Sequence, residues 1–129
     1  MKVVIADDSS LLRDRIKSLL NSINDISMVY EAKNGVEALQ LIMEKEPDLA
    51  ILDIRMPEMN GIEVLKKIRE LKMKTRVCIL TSYPYEQYRK RCLEAGADYF
   101  LSKSEDFEEI NIVINNLVQD KNVTITNHC

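Results

Sequence analysis

The chain has 129 residues, 46% hydrophobic and 30% charged, with a net charge of -3; that is the size of one domain able to bury a full core. The acidic balance argues against a surface built for nucleic acid. No apolar stretch approaches the ~20 residues that cross a bilayer, and Met1 leads straight into the first strand, so a cytoplasmic protein without a membrane contact is expected.

Taken in order, Lys2-Val3-Val4-Ile5-Ala6 is a short β-branched run that stops at the acidic pair Asp7-Asp8. After Ser9-Ser10, apolar residues recur at Leu12, Ile16, Leu19, Leu20 and Ile23, the spacing of one helical face. Met28 to Ala32 is the second strand. Asn34-Gly35 turns into a helix carrying Val36, Leu39, Ile42 and Met43, which Glu46-Pro47 ends. The apolar run Asp48-Leu49-Ala50-Ile51-Leu52 closes on Asp53, followed by Met56-Pro57, and Asn60-Gly61 opens a helix with Ile62, Leu65 and Ile68. Arg76-Val77-Cys78-Ile79-Leu80 stops at Thr81-Ser82. Pro84 suits the first turn of a fourth helix, which should end near Gly96. Asp98-Tyr99-Phe100-Leu101 runs into Ser102-Lys103, and Ile110, Val113, Ile114 and Leu117 give the last helix its buried stripe. One domain over residues 1–119 and a short, frayed polar tail over 120–129 are expected.

Strands of about five residues alternating with amphipathic segments of about twelve are the βαβ pattern of a parallel sheet covered on both faces. Right-handed crossovers leave few topologies for five strands and five helices; the expected fold is α/β, doubly wound, with strand order 2-1-3-4-5. Ligands in such sheets bind outside the carboxyl ends of the strands, where the order reverses. All the polar strand ends would share that crevice.

Asp53 is the most telling of them, because an acid closing a buried strand is costly unless it meets a cation or donors. Asp7, Asp8 and Asp53 gathered together would repel one another unless a cation compensates. Hard oxygen ligands without His or Cys suit Mg²⁺. A carboxylate beside such an ion can act as a nucleophile and form an aspartyl-phosphate. The Thr81 hydroxyl and the Lys103 ammonium match the charge on phosphoryl oxygens. Each residue also has a plain structural use: Asp8 as a helix cap, Asp53 as a turn former, Thr81 as a strand-end hydroxyl and Lys103 as a solvated charge. Helix capping alone does not explain a set of acids, a hydroxyl and a lysine drawn from four strand ends. Cys78, Cys92 and Cys129 lack CxxC spacing and read as core or incidental residues, and His128, penultimate in the polar tail, does not read as a catalytic base.

Asp7-Asp8, Asp53 with Met56-Pro57 and Gly61, Thr81-Ser82, Gly96-Ala97-Asp98 and Lys103, spread from Lys2 to Gln119, resemble a response-regulator receiver domain of two-component signalling. The resemblance implies a flavodoxin-like fold and an Asp53 that takes phosphate from the phosphohistidine of a sensor histidine kinase or histidine phosphotransfer protein. It implies Mg²⁺ held by Asp8, Asp53 and the Arg55 backbone carbonyl, with Asp7 reaching the metal through water. Thr81 and Lys103 would bind the phosphoryl group, and Phe100 would turn inward as the hydroxyl moves. Such a domain is not an enzyme in the conventional sense, although it promotes its own phosphorylation and dephosphorylation.

The segments around Glu31 to Gly35 and Ala97 to Ser104 look most like receivers that precede a helix-turn-helix DNA-binding domain. A stand-alone receiver is expected, the alternative being the receiver fragment of such a regulator. Three departures stand out: Ser104 where proline commonly follows the lysine, Phe100 in place of a frequent tyrosine, and the bulky pair Arg55 and Tyr83. Arg55 and Tyr83 are expected to line the route of water to the acyl phosphate and slow its hydrolysis.

Tyr83-Pro84-Tyr85-Glu86-Gln87-Tyr88-Arg89-Lys90-Arg91 gathers three tyrosines and three consecutive cations. Such residues are enriched at interfaces, but they also make an ordinary solvated helix face with Tyr88 packed on the sheet. In receivers the fourth helix, fifth strand and fifth helix change with phosphorylation, so a phosphorylation-dependent homodimer or effector contact is expected there. Two other readings fit less well. A phosphatase using an aspartyl-phosphate wants a second acid where Arg55 stands, and a flavin-binding module wants a phosphate loop where Asp7-Asp8 would repel phosphate.

Overall fold

Continuous apolar runs that are buried on both faces form the centre of the sheet: β1 (Lys2–Ala6), β3 (Leu49–Leu52) and β4 (Arg76–Thr81). In this computed structural model, which describes residues 1–128 and the side chains of residues 1–119, β2 (Met28–Ala32) and β5 (Tyr99–Ser102) are the edges. All pairs are parallel, in the order β2-β1-β3-β4-β5. The expected topology is observed. Between the strands lie α1 (Ser10–Asn21), α2 (Gly35–Lys45), α3 (Gly61–Glu70) and α4 (Glu86–Glu94); a 3₁₀ turn at Phe107–Glu109 leads into α5 (Ile110–His128).

The two-residue period of the strands splits the core. Val4, Ala6, Ala50, Leu52, Val77 and Ile79 face Ala38, Ile42, Leu65, Ile68 and Cys92, while Val3, Ile5, Leu49, Ile51 and Leu80 face Leu12, Ile16, Leu20, Ile110, Val113, Ile114 and Leu117. With helices on both sides, the three central strands reach solvent only at their ends. The backbone ladder continues one residue past the sheet, because the Asp7 N–H donates to Ala32 O at 3.1 Å, Asp53 N–H to Ala6 O at 3.0 Å and Lys103 N–H to Thr81 O at 2.8 Å. These bonds fix the polar strand ends side by side.

Local starts follow cap chemistry. Ser9, not Asp8, caps α1, accepting from the Leu12 N–H. Asn34 and Asn60 do more than turn the chain: each accepts from the N–H of the glutamate three residues on and donates its amide to that side chain, giving reciprocal caps with Glu37 and Glu63. Gly35 and Gly61 are needed for close approach, since a Cβ would stand 1.9 Å from Met59 O or 2.1 Å from Asp53 O.

Some expectations are corrected. Pro84 precedes the α4 cap Tyr85 instead of opening the helix; the helix does end near Gly96 as expected, at Glu94, and Gly96 (φ +106°) turns the chain afterwards. Val36 and Met43 are exposed, because the buried side of α2 runs through Gly35, Ala38 and Ile42; the small Ala38 hid that face from an apolar count. Ile23 packs on the core from beyond the end of α1. The α5 backbone is helical through His128, across the segment expected to fray; its side chains from 120 on, and the whole of Cys129, lie outside the described residues. Cys78 and Cys92 are free and buried.

Candidate functional site

Register explains why distant residues meet. Ala6 pairs with Leu52 and Leu52 with Ile79, so Asp7 and Asp53 are the next residues of adjacent strands; Thr81 pairs with Ser102, and Lys103 follows. The crevice opens between β1 and β3, where the winding reverses. One carboxylate oxygen from each of Asp7, Asp8 and Asp53 lies within 4.8 Å of the others. Asp7 and Asp53 are buried and Asp8 is exposed, so the cluster has a dry floor and an open side.

Lys103 spans the floor. Its Nζ lies 2.7 Å from Asp7 Oδ2 and 3.1 Å from Asp53 Oδ2. Burial pushes the Asp53 carboxyl up from 3.8 to about 6; Lys103 opposes that rise and the charge of Asp7 adds to it. Burial by itself lowers the Lys103 pKa, but the hydrogen bond to Asp7 and the charges of Asp53 and Asp7 outweigh it, and the ammonium is held above its ordinary range. The site therefore keeps its cation and gives up its second carboxylate charge more readily than an exposed aspartate would.

The peptide after the lysine is settled by local bonds. The described peptide bonds are all trans, the Ser104 N–H donates to Ser102 Oγ at 3.3 Å, and the Ser102 N–H donates to Asp106 Oδ2 at 2.9 Å. A serine at 104 uses an N–H that proline lacks, and Lys103 still reaches both acids.

Thr81 is fully buried at the end of β4; its Oγ1 accepts from the Tyr83 N–H at 3.0 Å, which leaves the hydroxyl hydrogen free to donate. Phe100 is buried in the core on the α4 side, with the Arg89 guanidinium 6.0 Å from its ring centroid. The Arg55 guanidinium lies 4.0 Å from the centroid of the Tyr83 ring, above a cleft of about 520 Å³ lined by Asp8, Arg55, Met56, Asn60, Tyr88 and Arg91. Every residue expected at the site is at or beside this one end of the sheet.

Sequence reasoning missed Arg13. Its Nη1 donates to the Asp7 carbonyl at 2.5 Å and its Nε pairs with Glu31 at 3.2 Å, tying the β1–α1 turn to the end of β2. The available signal was a cation in the first turn of a helix that follows two acids. Asp7 adds to the same turn by accepting from the Ser9 N–H at 2.8 Å.

Residues 3–115 match the model of the response regulator receiver domain family. A candidate transcriptional regulator of Pseudomonas aeruginosa is 44% identical over 109 residues, 84% of this chain and 52% of its own length. The nitrate/nitrite response regulator NarL of Escherichia coli is 35% identical over 108 residues, again 84% of this chain and 50% of its own. This chain thus spans about half the length of the curated relatives it matches. Among solved structures, a DNA-binding response regulator of the LuxR family from Staphylococcus aureus superposes with a TM-score of 0.84 at 32% identity, covering 90% of this chain and 97% of that one. The Borrelia burgdorferi complex of CheX and CheY with BeF₃ and magnesium gives 0.79 at 28% identity, covering 88% and 89%. With its flavodoxin-like sheet and its acids at the switch point, the chain belongs to the response regulator receiver domains of two-component signalling.

Proposed function

We propose that Asp53 is the phosphoryl acceptor and that a sensor histidine kinase or a histidine phosphotransfer protein is the donor. The observation that carries this reading is Lys103 bridging Asp7 and Asp53, with Asp8 completing three carboxylates at two adjacent strand ends. Such an arrangement has little structural use, since a buried pair seldom adds stability over apolar packing. The donor set of three hard carboxylates, with no His or Cys among them, fits Mg²⁺. Asp8, Asp53 and the Arg55 carbonyl would hold it, with Asp7 acting through water. The ion supplies positive charge against the phosphoryl oxygens.

In the transfer, an Asp53 carboxylate oxygen bonds to phosphorus while the phosphorus–nitrogen bond of the phosphohistidine breaks, its electron pair staying on the imidazole. Lys103, already 3.1 Å from Asp53 Oδ2, follows the new charge outward, and the Thr81 hydroxyl donates to a phosphoryl oxygen. Hydrolysis returns the carboxylate when water displaces it at phosphorus. Arg55 and Tyr83 restrict that water. The same Thr81 movement and the Phe100 ring pass the change to α4, β5 and α5, where a phosphorylation-dependent homodimer or effector protein would bind.

Incubation with Mg²⁺ and acetyl phosphate, followed by intact-mass measurement, tests the assignment. One added phosphate is expected on the wild type and none on Asp53→Asn; equal phosphate on both defeats it. A second reading adds an output: relatives about twice as long are named transcription regulators, so this receiver would control a DNA-binding segment of a longer regulator. A probe for the flanking coding sequence in the source genome tests that.

A further inference from the structure

We infer that the Arg55 side chain is a latch between the acidic cluster and α4: it rests on Tyr83 and Tyr88 in the unphosphorylated protein and leaves them when a phosphoryl group arrives. This rests on Asp53 being the acceptor. Three observations carry it. The guanidinium lies over the Tyr83 ring at 4.0 Å, and it lines one cleft with Tyr88, Arg91 and Asp8. The rings continue the contact, Tyr83 to Tyr85 at 6.2 Å between centroids and Tyr85 to Tyr88 at 6.0 Å.

The helix at the far end of this chain of rings is held weakly. Tyr85 caps α4 without a side-chain bond, and Cys92 is the one buried residue along it; α2 and α3, by contrast, start on reciprocal Asn–Glu caps. A contact of modest strength therefore decides the order of its first turn. Arg55 has two uses for one charge. In the resting state Lys103 already serves Asp53, and the exposed guanidinium takes the weak attraction of an aromatic face. A phosphoryl group on Asp53 adds oxygens that Lys103 cannot all satisfy, two residues from Arg55, and charge-assisted bonds to them are stronger than a ring contact. The latch differs from the Thr81–Phe100 route because it runs outside the core.

Hydrogen exchange followed by mass spectrometry over residues 85–94 tests it. In the resting protein Arg55→Ala is expected to exchange about two- to fivefold faster there than wild type; Tyr88→Phe should do so more weakly, and Arg55→Lys should fall between wild type and Arg55→Ala. Equal resting exchange in wild type and Arg55→Ala overturns the latch. With Mg²⁺ and acetyl phosphate, wild-type exchange should rise toward that of Arg55→Ala. The near-ultraviolet tyrosine spectrum, free of tryptophan in this chain, should shift with it. If Arg55→Ala gains phosphate mass and its segment then responds as in wild type, the latch fails while the acceptor assignment stands. If wild type gains no phosphate mass, the acceptor assignment fails and takes the latch with it.

Discussion

The Lys103 Nζ stands 3.1 Å from Asp53 Oδ2 across 50 residues of chain. It also holds Asp7 at 2.7 Å, so one ammonium bridges two buried acids that the sheet forces together. Removing it leaves both without a cation. Lys103→Ala is expected to lose on the order of 2 kcal/mol of stability at pH 7 without divalent ions. Millimolar Mg²⁺ should restore more of it than it adds to wild type. Thermal melts with and without Mg²⁺ check both statements.

Asp53 carries a pH signature. Its folded pKa, about 6, lies above the ordinary 3.8, so the folded state keeps a proton that the unfolded state has lost. Its contribution is present in full below about pH 4, is lost as pH rises to about 6, and is constant above that. Asp53→Asn should therefore stabilise the metal-free protein by up to ~3 kcal/mol at pH 7 and by little near pH 4. Denaturant unfolding at the two pH values measures the difference.

Gly61 touches the site through backbone alone. A Cβ there would meet Asp53 O at 2.1 Å and Asp53 C at 2.9 Å, atoms that cannot swing away. Gly61→Ala should cost ~1–3 kcal/mol and slow phosphorylation from acetyl phosphate by displacing Asp53. Unfolding curves and the rate of mass gain report the two effects separately.

Arg13 tests whether a residue outside the crevice sets its geometry. Arg13→Ala frees the Asp7 carbonyl and leaves Glu31 paired with Lys17 alone, and should weaken Mg²⁺ binding several-fold with a stability loss of ~1–2 kcal/mol. Arg13→Lys should recover part of the Mg²⁺ affinity. Calorimetric titration with Mg²⁺ distinguishes this from plain unfolding.

The bulk of the Arg55 and Tyr83 side chains bears on signal lifetime. The double variant Arg55→Asn, Tyr83→Ala opens the approach to Asp53 and should shorten the phosphoryl half-life. An unchanged half-life, followed by intact mass after removal of the donor, counts against the restriction of water.

The sequence alone determined the alternation of strands and helices, because β-branched runs and helical stripes are local and strong, and it pointed to the acids, the hydroxyl and the lysine, because each closes an apolar strand. It underestimated Asn34 and Asn60, whose caps with Glu37 and Glu63 were legible as an Asn-x-x-Glu spacing. It misjudged Val36 and Met43, because alanine and glycine can form a buried face that counting large apolar residues overlooks. Only the tertiary structure decided that Asp8 shares a cleft with Arg55 and Arg91, that Arg13 ties the Asp7 carbonyl to Glu31, and that Arg55 lies on Tyr83. Those relationships depend on distances across separate elements. Strand register fixes such distances, and no local pattern encodes them.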